Sequence, residues 1–507
     1  MSHPDLLDRT RILTETVNRD RDFRQPKKAK EVELTKPAQS AAQMSMPHSV
    51  GGESCIYMLR SSATPFVVAL CLLLVPLVVI AADGDLTRYG LSNGLEIYIY
   101  EKHNVPIAAV QVWYRTGSLN EQPGNRGISH LFEHMMFRGS DGFGPEEHSH
   151  RIDDMGGAWN AVTTDDYTYY YQLVPISGID IVLRMEADRM ARLKIDESML
   201  DTERDVVKEE FLLYENDPYA KLLLDLRKSA FGSHPYSWDP LGVKEDLDAI
   251  GVDDCIAYYS ARYSPNNAAL IVVGDVVPDE IFRMAEHHFG CIPSAPSIQP
   301  DPLPPVRPKL RTFRQKSSIP VCVSAVGYWL PPAGHEDHVA LEALSRLLEP
   351  YLKNALIREA KSCLGVFVER DNLRQVSILF FVGAHFSNVP SERVYKQIEE
   401  SIRDYLANRL TPEELERVRN QILLEEVRKR HSAEGLAEAI GSALFLDGDL
   451  DRFSRRLVLI SALTPGDLVA VGNRYFVEEN RAYVQVEPEH SSKLLYVVGW
   501  LKSLFHL

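Results

Sequence analysis

The sequence predicts an α+β protein built from two similar halves, and three observations predict it. From residue 96 onward, short runs of alternating apolar residues give way to apolar residues at helical spacing. A dense proline stretch then breaks the pattern, with Pro293, Pro296, Pro300, Pro302, Pro304, Pro305 and Pro308. Beyond it, the order of strand and helix begins again, as an internal duplication would make it. The expected domains are therefore 85–292 and 319–488, joined by an extended linker over 293–318.

In the first half, Leu91-Ser-Asn-Gly-Leu95 signals a turn and 96–100 a half-buried strand. A second strand is expected at 107–114 and a helix at 127–137. Residues 159–163 and 167–174 read as paired strands around Thr164-Asp165-Asp166. Helices at 179–193 and 199–214, a buried strand at 268–274 and a helix at 279–289 complete this half. In the second half, strands are expected at 320–329, 377–383 and 481–486, and helices at 338–348, 391–406 and 412–430. The tail, 489–507, is short and partly apolar.

The N-terminal region reads differently. Residues 1–57 are polar and mixed in charge, with no apolar period, and are expected to be a disordered or mis-assigned extension. Residues 61–82 carry no charge at all. Such a run is either a membrane-spanning helix or the apolar region of a secretory signal peptide. Met58-Leu59-Arg60 before it and Val79-Ile80-Ala81-Ala82 at its end favour a signal peptide over 58–82, with Met58 as the working start. The protein is then expected to be exported, to a bacterial periplasm. If the run is not cleaved, it is a membrane anchor with the body outside the cytoplasm.

Composition excludes some functions. The chain has 507 residues, with Lys+Arg 55 and Asp+Glu 71, for a net charge of −16. This balance argues against a nucleic-acid partner, which asks for a basic stripe. Six cysteines form no C-x-x-C pair, which excludes a cysteine zinc ribbon and a thioredoxin-type redox motif. The spacing of Cys255, Cys291, Cys322 and Cys363 does not decide whether any are paired.

The strongest chemical signal is His130-Leu-Phe-Glu133-His134. Residues four apart share one helix face, so His130 and His134 can offer two imidazole nitrogens to one zinc ion. Glu133, at the edge of that face, can take a proton from water and pass it to a leaving amine. The order is that of H-E-x-x-H reversed. A third ligand is needed from another element. Glu203 and Glu210, seven apart on one helix, are the candidates, one to bind the metal and the other to orient a ligand. His335-Glu-Asp-His338 lacks a glutamate in the reversed position and reads as an exposed turn at a helix start. His148 and His150, two apart, are poorly placed to share a metal.

With these motifs the sequence resembles the pitrilysin-type, inverted-zincin metallopeptidases, the family of insulin-degrading enzyme and mitochondrial processing peptidase. It is most like the short, exported bacterial members. The resemblance runs over about 86–488. It also rests on Gly156-Gly-Ala-Trp-Asn160-Ala161, His234-Pro-Tyr236, Pro240-Leu-Gly242, and Arg262-Tyr-Ser-Pro-Asn-Asn267 leading into Val272-Val-Gly-Asp275. It implies a clamshell of two homologous halves, each a mixed sheet with helices on one side, around a chamber for short or unfolded peptides. It implies one Zn2+ per chain held by His130, His134 and Glu210, with Glu133 catalytic and Glu203 in support. It implies that Asn160 and Ala161, on an edge strand, and Arg358, in the second half, bind substrate. Where such members carry a tyrosine seven residues after the arginine, this chain has Gly365. The resemblance therefore implies a zinc-bearing subunit that works with a homologous partner chain, as a heterodimer or homodimer. The alternative from another class is a non-catalytic subunit of the same fold.

Overall fold

The computed structural model describes residues 86–296 and 311–489. The N-terminal extension, the apolar segment, residues 297–310 of the expected linker and nearly all of the tail lie outside the described residues. Among the described residues no helix is long and apolar enough to cross a membrane.

Two mixed sheets organise the chain. The first comprises β1 (Leu86–Gly90), β2 (Glu96–Glu101), β3 (Ile107–Tyr114), β4 (Ala158–Thr163), β5 (Thr168–Pro175) and β6 (Ala268–Gly274), in the order β1-β2-β6-β3-β5-β4. The second comprises β7 (Arg311–Ser317), β8 (Cys322–Leu330), β9 (Gly365–Asp371), β10 (Ser377–His385) and β11 (Arg481–Pro488), in the order β7-β11-β8-β10-β9. From β2 to β4 the pairings run parallel, antiparallel, antiparallel, antiparallel. From β7 to β9 they run the same way. The duplication expected from the sequence is thus a repeated topology. The strand β7 corrects the expected linker: residues 311–317 pair in parallel with the last strand instead of spanning the seam.

The first-half helices are α1 (Ile128–Met135), α2 (Glu147–Asp154), α3 (Ile179–Arg192), α4 (Glu197–Asn216), α5 (Pro218–Phe231), α6 (Lys244–Ala249), α7 (Val252–Arg262) and α8 (Pro278–Phe289). Those of the second half are α9 (Asp337–Leu352), α10 (Ser391–Asp404), α11 (Pro412–His431), α12 (Ala433–Ser442), α13 (Leu450–Ala462) and α14 (Pro465–Tyr475). Local chemistry sets their ends. The break between α4 and α5 is the pair Asp217-Pro218. The Asp217 side chain accepts from the Tyr219 and Ala220 N–H groups, and Pro218 occupies a first-turn position where its missing donor costs nothing.

The period of two in the strands builds the core. Along β6, Ala268, Leu270 and Val272 join one apolar cluster, while Ala269, Ile271 and Val273 join another on the opposite face. The first cluster packs under α1, α3, α7 and α8. The second is closed by α12 of the other half, through Leu436, Ala437 and Ile440. The exchange is mutual: Leu222, Leu226 and Phe231 of α5 cover one face of the second sheet against Val323, Trp329 and Phe380. Each sheet therefore carries its own helices on one face and a borrowed helix on the other. The fit is close. A Cβ on Gly441 would meet the Trp113 indole at 2.1 Å, so only glycine lets α12 seat there.

Candidate metal centre

The helix carrying the histidines starts under tight control. Gly127 caps α1 with φ +98°, in the left-handed region. Its Cα faces that of Gly242, also left-handed, and a Cβ on Gly242 would strike the Gly127 backbone at 2.3 Å. This contact is the physical content of the Pro240-Leu-Gly242 motif. The Glu121 carboxylate accepts from Gly127 N–H (2.9 Å), Ser129 N–H (3.0 Å) and the Trp238 indole N–H (3.2 Å). A carboxylate at a helix N-terminus satisfies orphan donors and complements the helix dipole. Burial nonetheless pushes Glu121 up to about 7, against the pull of those donors.

One turn along α1, His130 and His134 face α4. The Glu210 carboxylate oxygen lies 3.6 Å from His130 Nε2 and 3.5 Å from His134 Nε2. The three ligand atoms lie within 4.8 Å of one another, the group among the described residues able to hold a metal ion. A tetrahedral zinc with bonds of about 2.1 Å sets its ligand atoms about 3.4 Å apart, so the two distances to Glu210 fit such an ion. Glu203, one heptad earlier and buried, puts Oε2 3.4 Å from His134 Nδ1. Its other oxygen lies 2.5 Å from Arg138 Nε, and Arg138 also pairs with Glu146 at 2.8 Å. The two glutamates left open by spacing are thus sorted by geometry: Glu210 meets both histidines, and Glu203 meets only the far nitrogen of His134. Burial alone would lower His134, but Glu203 and Glu210 push it up to about 10, while burial and the neighbouring His134 lower His130. The pocket holds more carboxylate than cation and draws in positive charge. Glu133 is buried between these histidines in sequence and acts electrostatically on both.

The expected substrate residues are placed unevenly. β4 is the edge strand of its sheet, as expected. There the Asn160 side-chain oxygen accepts from the Ala161 N–H at 2.9 Å, and the Ala161 side chain is buried in the core. Ala161 can therefore offer only backbone. Arg358 is exposed, in a π-helical turn (Lys353–Glu359) that continues α9. Gly365 opens β9. Phe367 is buried against Tyr219, and the Tyr351 hydroxyl donates to Asp404, so neither stands in for the missing tyrosine. His338 corrects the reading of an exposed turn: it is buried, while His335 is exposed. His148 is buried against Glu186 at 3.3 Å and His150 is exposed. The cysteines Cys255, Cys291, Cys322 and Cys363 are all free.

Some residues that shape the site escape sequence reasoning. Glu121 and Arg138 act through partners in other elements. The turn residues Asp165 and Asp166 tie the halves together. Arg227 pairs with Asp165 (2.5 Å) and, across the halves, with Asp371 (3.2 Å). Asp166 accepts from the Tyr236 hydroxyl (2.7 Å) and from the Arg374 N–H (3.0 Å) of the second half. The His234-Pro-Tyr236 motif thus serves this junction.

Comparison with known proteins agrees with this geometry. Residues 97–238 match the family model described as Insulinase (Peptidase family M16), and 249–422 match the Peptidase M16 inactive domain. The second match begins before the proline seam and takes in β6 and α8 of the first half. The chain is 28% identical to the zinc protease PqqE of Helicobacter pylori over 409 residues, covering 78% of this chain and 92% of that one. It is 24% identical over 420 residues to the Arabidopsis thaliana protein named "Probable mitochondrial-processing peptidase subunit beta, mitochondrial", covering 78% and 77%. The crystal structure of a protease from Helicobacter pylori superposes with a TM-score of 0.72 at 26% identity, covering 80% of this chain and all of that one.

Proposed function

Because the chain belongs to the M16 peptidase family, we propose that it is a zinc metalloendopeptidase that hydrolyses short or unfolded peptides. The observation that carries this reading is the convergence of His130, His134 and Glu210 from two helices on one point. A zinc ion held there would supply Lewis acidity toward water and the scissile carbonyl.

The chain's own residues do the rest. The Glu133 carboxylate takes the proton of the attacking water and delivers it to the leaving amine nitrogen. Glu203 faces His134 Nδ1 and so leaves Nε2 free as a ligand atom, and Arg138 holds Glu203 in that pose. An extended peptide adds to the open edge of β4 through main-chain hydrogen bonds, which requires Asn160 to release the Ala161 N–H.

The reading extends to assembly and location. With Gly365 in place of a tyrosine, the second half lacks one donor to the substrate carbonyl beside Arg358. A homologous partner chain supplies it, and the relative named as a mitochondrial-processing peptidase subunit supports such pairing. The apolar run at 61–82 supports export to the periplasm, with a membrane anchor as the alternative.

The test combines metal content with hydrolysis of a quenched-fluorescent peptide, alone and with homologous chains. One zinc per chain is expected, with slow hydrolysis that a partner raises about 10²–10³-fold, the worth of one missing oxyanion donor. A chain that binds no zinc, or that binds it and cleaves nothing with any partner, sinks the peptidase reading. Full activity as a monomer sinks the pairing alone.

A further inference from the structure

In the second half, α9 packs on α11 and on the edge strand β9, just as α1 packs on α4 and on β4. Where the first half has histidines and glutamates, this counterpart has arginines. Glu342, buried on α9, pairs with Arg346 (2.9 Å) and Arg456 (2.8 Å). Arg346 reaches on to Glu425, and Arg456 to Glu426. Arg430 stands 3.6 Å from Glu426, and Arg452 stands 3.3 Å from Asp447. Arg370, on β9, comes no nearer to Glu342 than 3.8 Å, too far for a hydrogen bond. Five guanidinium groups thus face four carboxylates.

Unused hydrogen-bonding capacity points the same way. Arg370 Nε and Nη1, Arg430 Nε and Arg452 Nε are buried donors without a hydrogen-bond acceptor. His338 donates through Nε2 to the Pro331 carbonyl at 2.8 Å, and its Nδ1 is a buried bare acceptor. Burial, with Arg370 and Arg452 nearby, pushes His338 down to about 4, so it adds no charge of its own. Burial also pushes Asp447 up to about 6, which weakens the carboxylate that stands beside Arg452. Buried guanidinium donors are rarely left unmatched, and their planar fork suits a carboxylate.

We propose that this cluster is an anion site that takes a carboxylate of a bound peptide, with Arg370 as its principal donor. The carboxylate is either the peptide's C-terminus or an acidic side chain. Strand β9 is the free edge of its sheet, so an extended peptide can lie along it and present that group. The inference rests on peptides being what the chamber receives, but its test needs neither metal nor hydrolysis.

The experiment uses the full chain after chelation and reads fluorescence anisotropy of three labelled peptides of one neutral sequence. One ends in a free carboxylate, one is amidated, and one is amidated with an internal glutamate. At least one carboxylate-bearing peptide is expected to bind about tenfold or more tightly than the neutral one, the worth of a charge-assisted hydrogen bond. Which of the two does so identifies the source. Arg370→Met is expected to erase that preference in a chain that still folds, with a modest fall in melting temperature because Arg370 also helps to hold Glu342 charged. Arg370→Lys keeps the charge without the fork and is expected to retain part of it. Equal binding of all three peptides overturns the proposal. So does an Arg370→Met variant that binds like the wild type, or one that only loses stability. Hydrolysis without carboxylate preference overturns this site alone. Carboxylate preference in a chain that takes up no zinc before chelation or on adding the metal back overturns the peptidase reading alone.

Discussion

In the first half, a helix over an edge strand gathers two imidazoles and the carboxylates of Glu133, Glu203 and Glu210. In the second, the matching helix over the matching strand gathers Arg346, Arg370 and Arg456 around Glu342. The backbone arrangement is shared, down to the order of parallel and antiparallel pairs. The sign of the pocket is not. The fold supplies a half-enclosed place where charge is poorly screened, and a few side chains decide which ion it draws in. One copy is short of a cation and the other of an anion.

The largest effect that would break this comparison lies in the first half. Glu133→Gln is expected to lower kcat about 10²–10⁴-fold while the chain still holds one zinc, read by peptide hydrolysis beside metal analysis. An active variant would mean that the acidic pocket does not move the proton. His130, His134 or Glu210 replaced by alanine should lose the metal itself.

The second half answers with stability. Glu342→Gln strips the shared anion from several guanidinium groups and is expected to cost about 3–5 kcal/mol in urea unfolding at neutral pH. Burial alone would raise Glu342, but Arg370, Arg456 and Arg346 hold it down at about 2, below its ordinary value of 4.5. Its folded value is depressed, so its contribution is full above pH 4.5 and is lost as pH falls through 2. The stability gap between wild type and variant should narrow over that window. A gap that is constant with pH would show that Glu342 acts by packing and not by charge.

Smaller changes sharpen the contrast. Glu203→Gln is expected to weaken zinc affinity about 10–100-fold, measured by competition with a chelator, because it meets the far nitrogen of His134. Glu209→Gln, exposed beside Glu210, should change nothing measurable. Zinc loss in Glu209→Gln would shift the register of α4 by one residue.

These sites differ in how far the sequence revealed them. His130, Glu133 and His134 lie within one turn, and Glu203 and Glu210 two turns apart on one helix, so local periodicity exposed both sets. The arginine cluster is assembled from residues between 342 and 456, each with an ordinary helical or strand neighbourhood, and nothing local marks it. Glu121 caps α1 with help from Trp238, 117 positions away in the chain. Strand β7 lies directly after the proline stretch and pairs with the last strand, 481–488, so its partner is invisible to any window of sequence. Strand β6 was legible as a continuous apolar run because both of its faces are buried. What covered the second face was not, since α12 lies more than 150 residues beyond β6.

That borrowed helix has a consequence for the order in which the protein is made. Trp113 and Tyr169, stacked at 4.1 Å, belong to strands that leave the ribosome early, whereas Leu436, Ala437 and Ile440 emerge more than 250 residues later. At roughly 5–20 residues per second, the interval is on the order of tens of seconds. Throughout it, the first sheet presents an aromatic face with nothing to cover it. The α5 helix, in turn, waits with Leu222 and Leu226 exposed until the second sheet exists, and that sheet closes only when β11, which joins β7 to β8, arrives near the end of the chain. Neither half can finish folding during its own translation, and a nascent chain stalled between the two would be a substrate for holding chaperones.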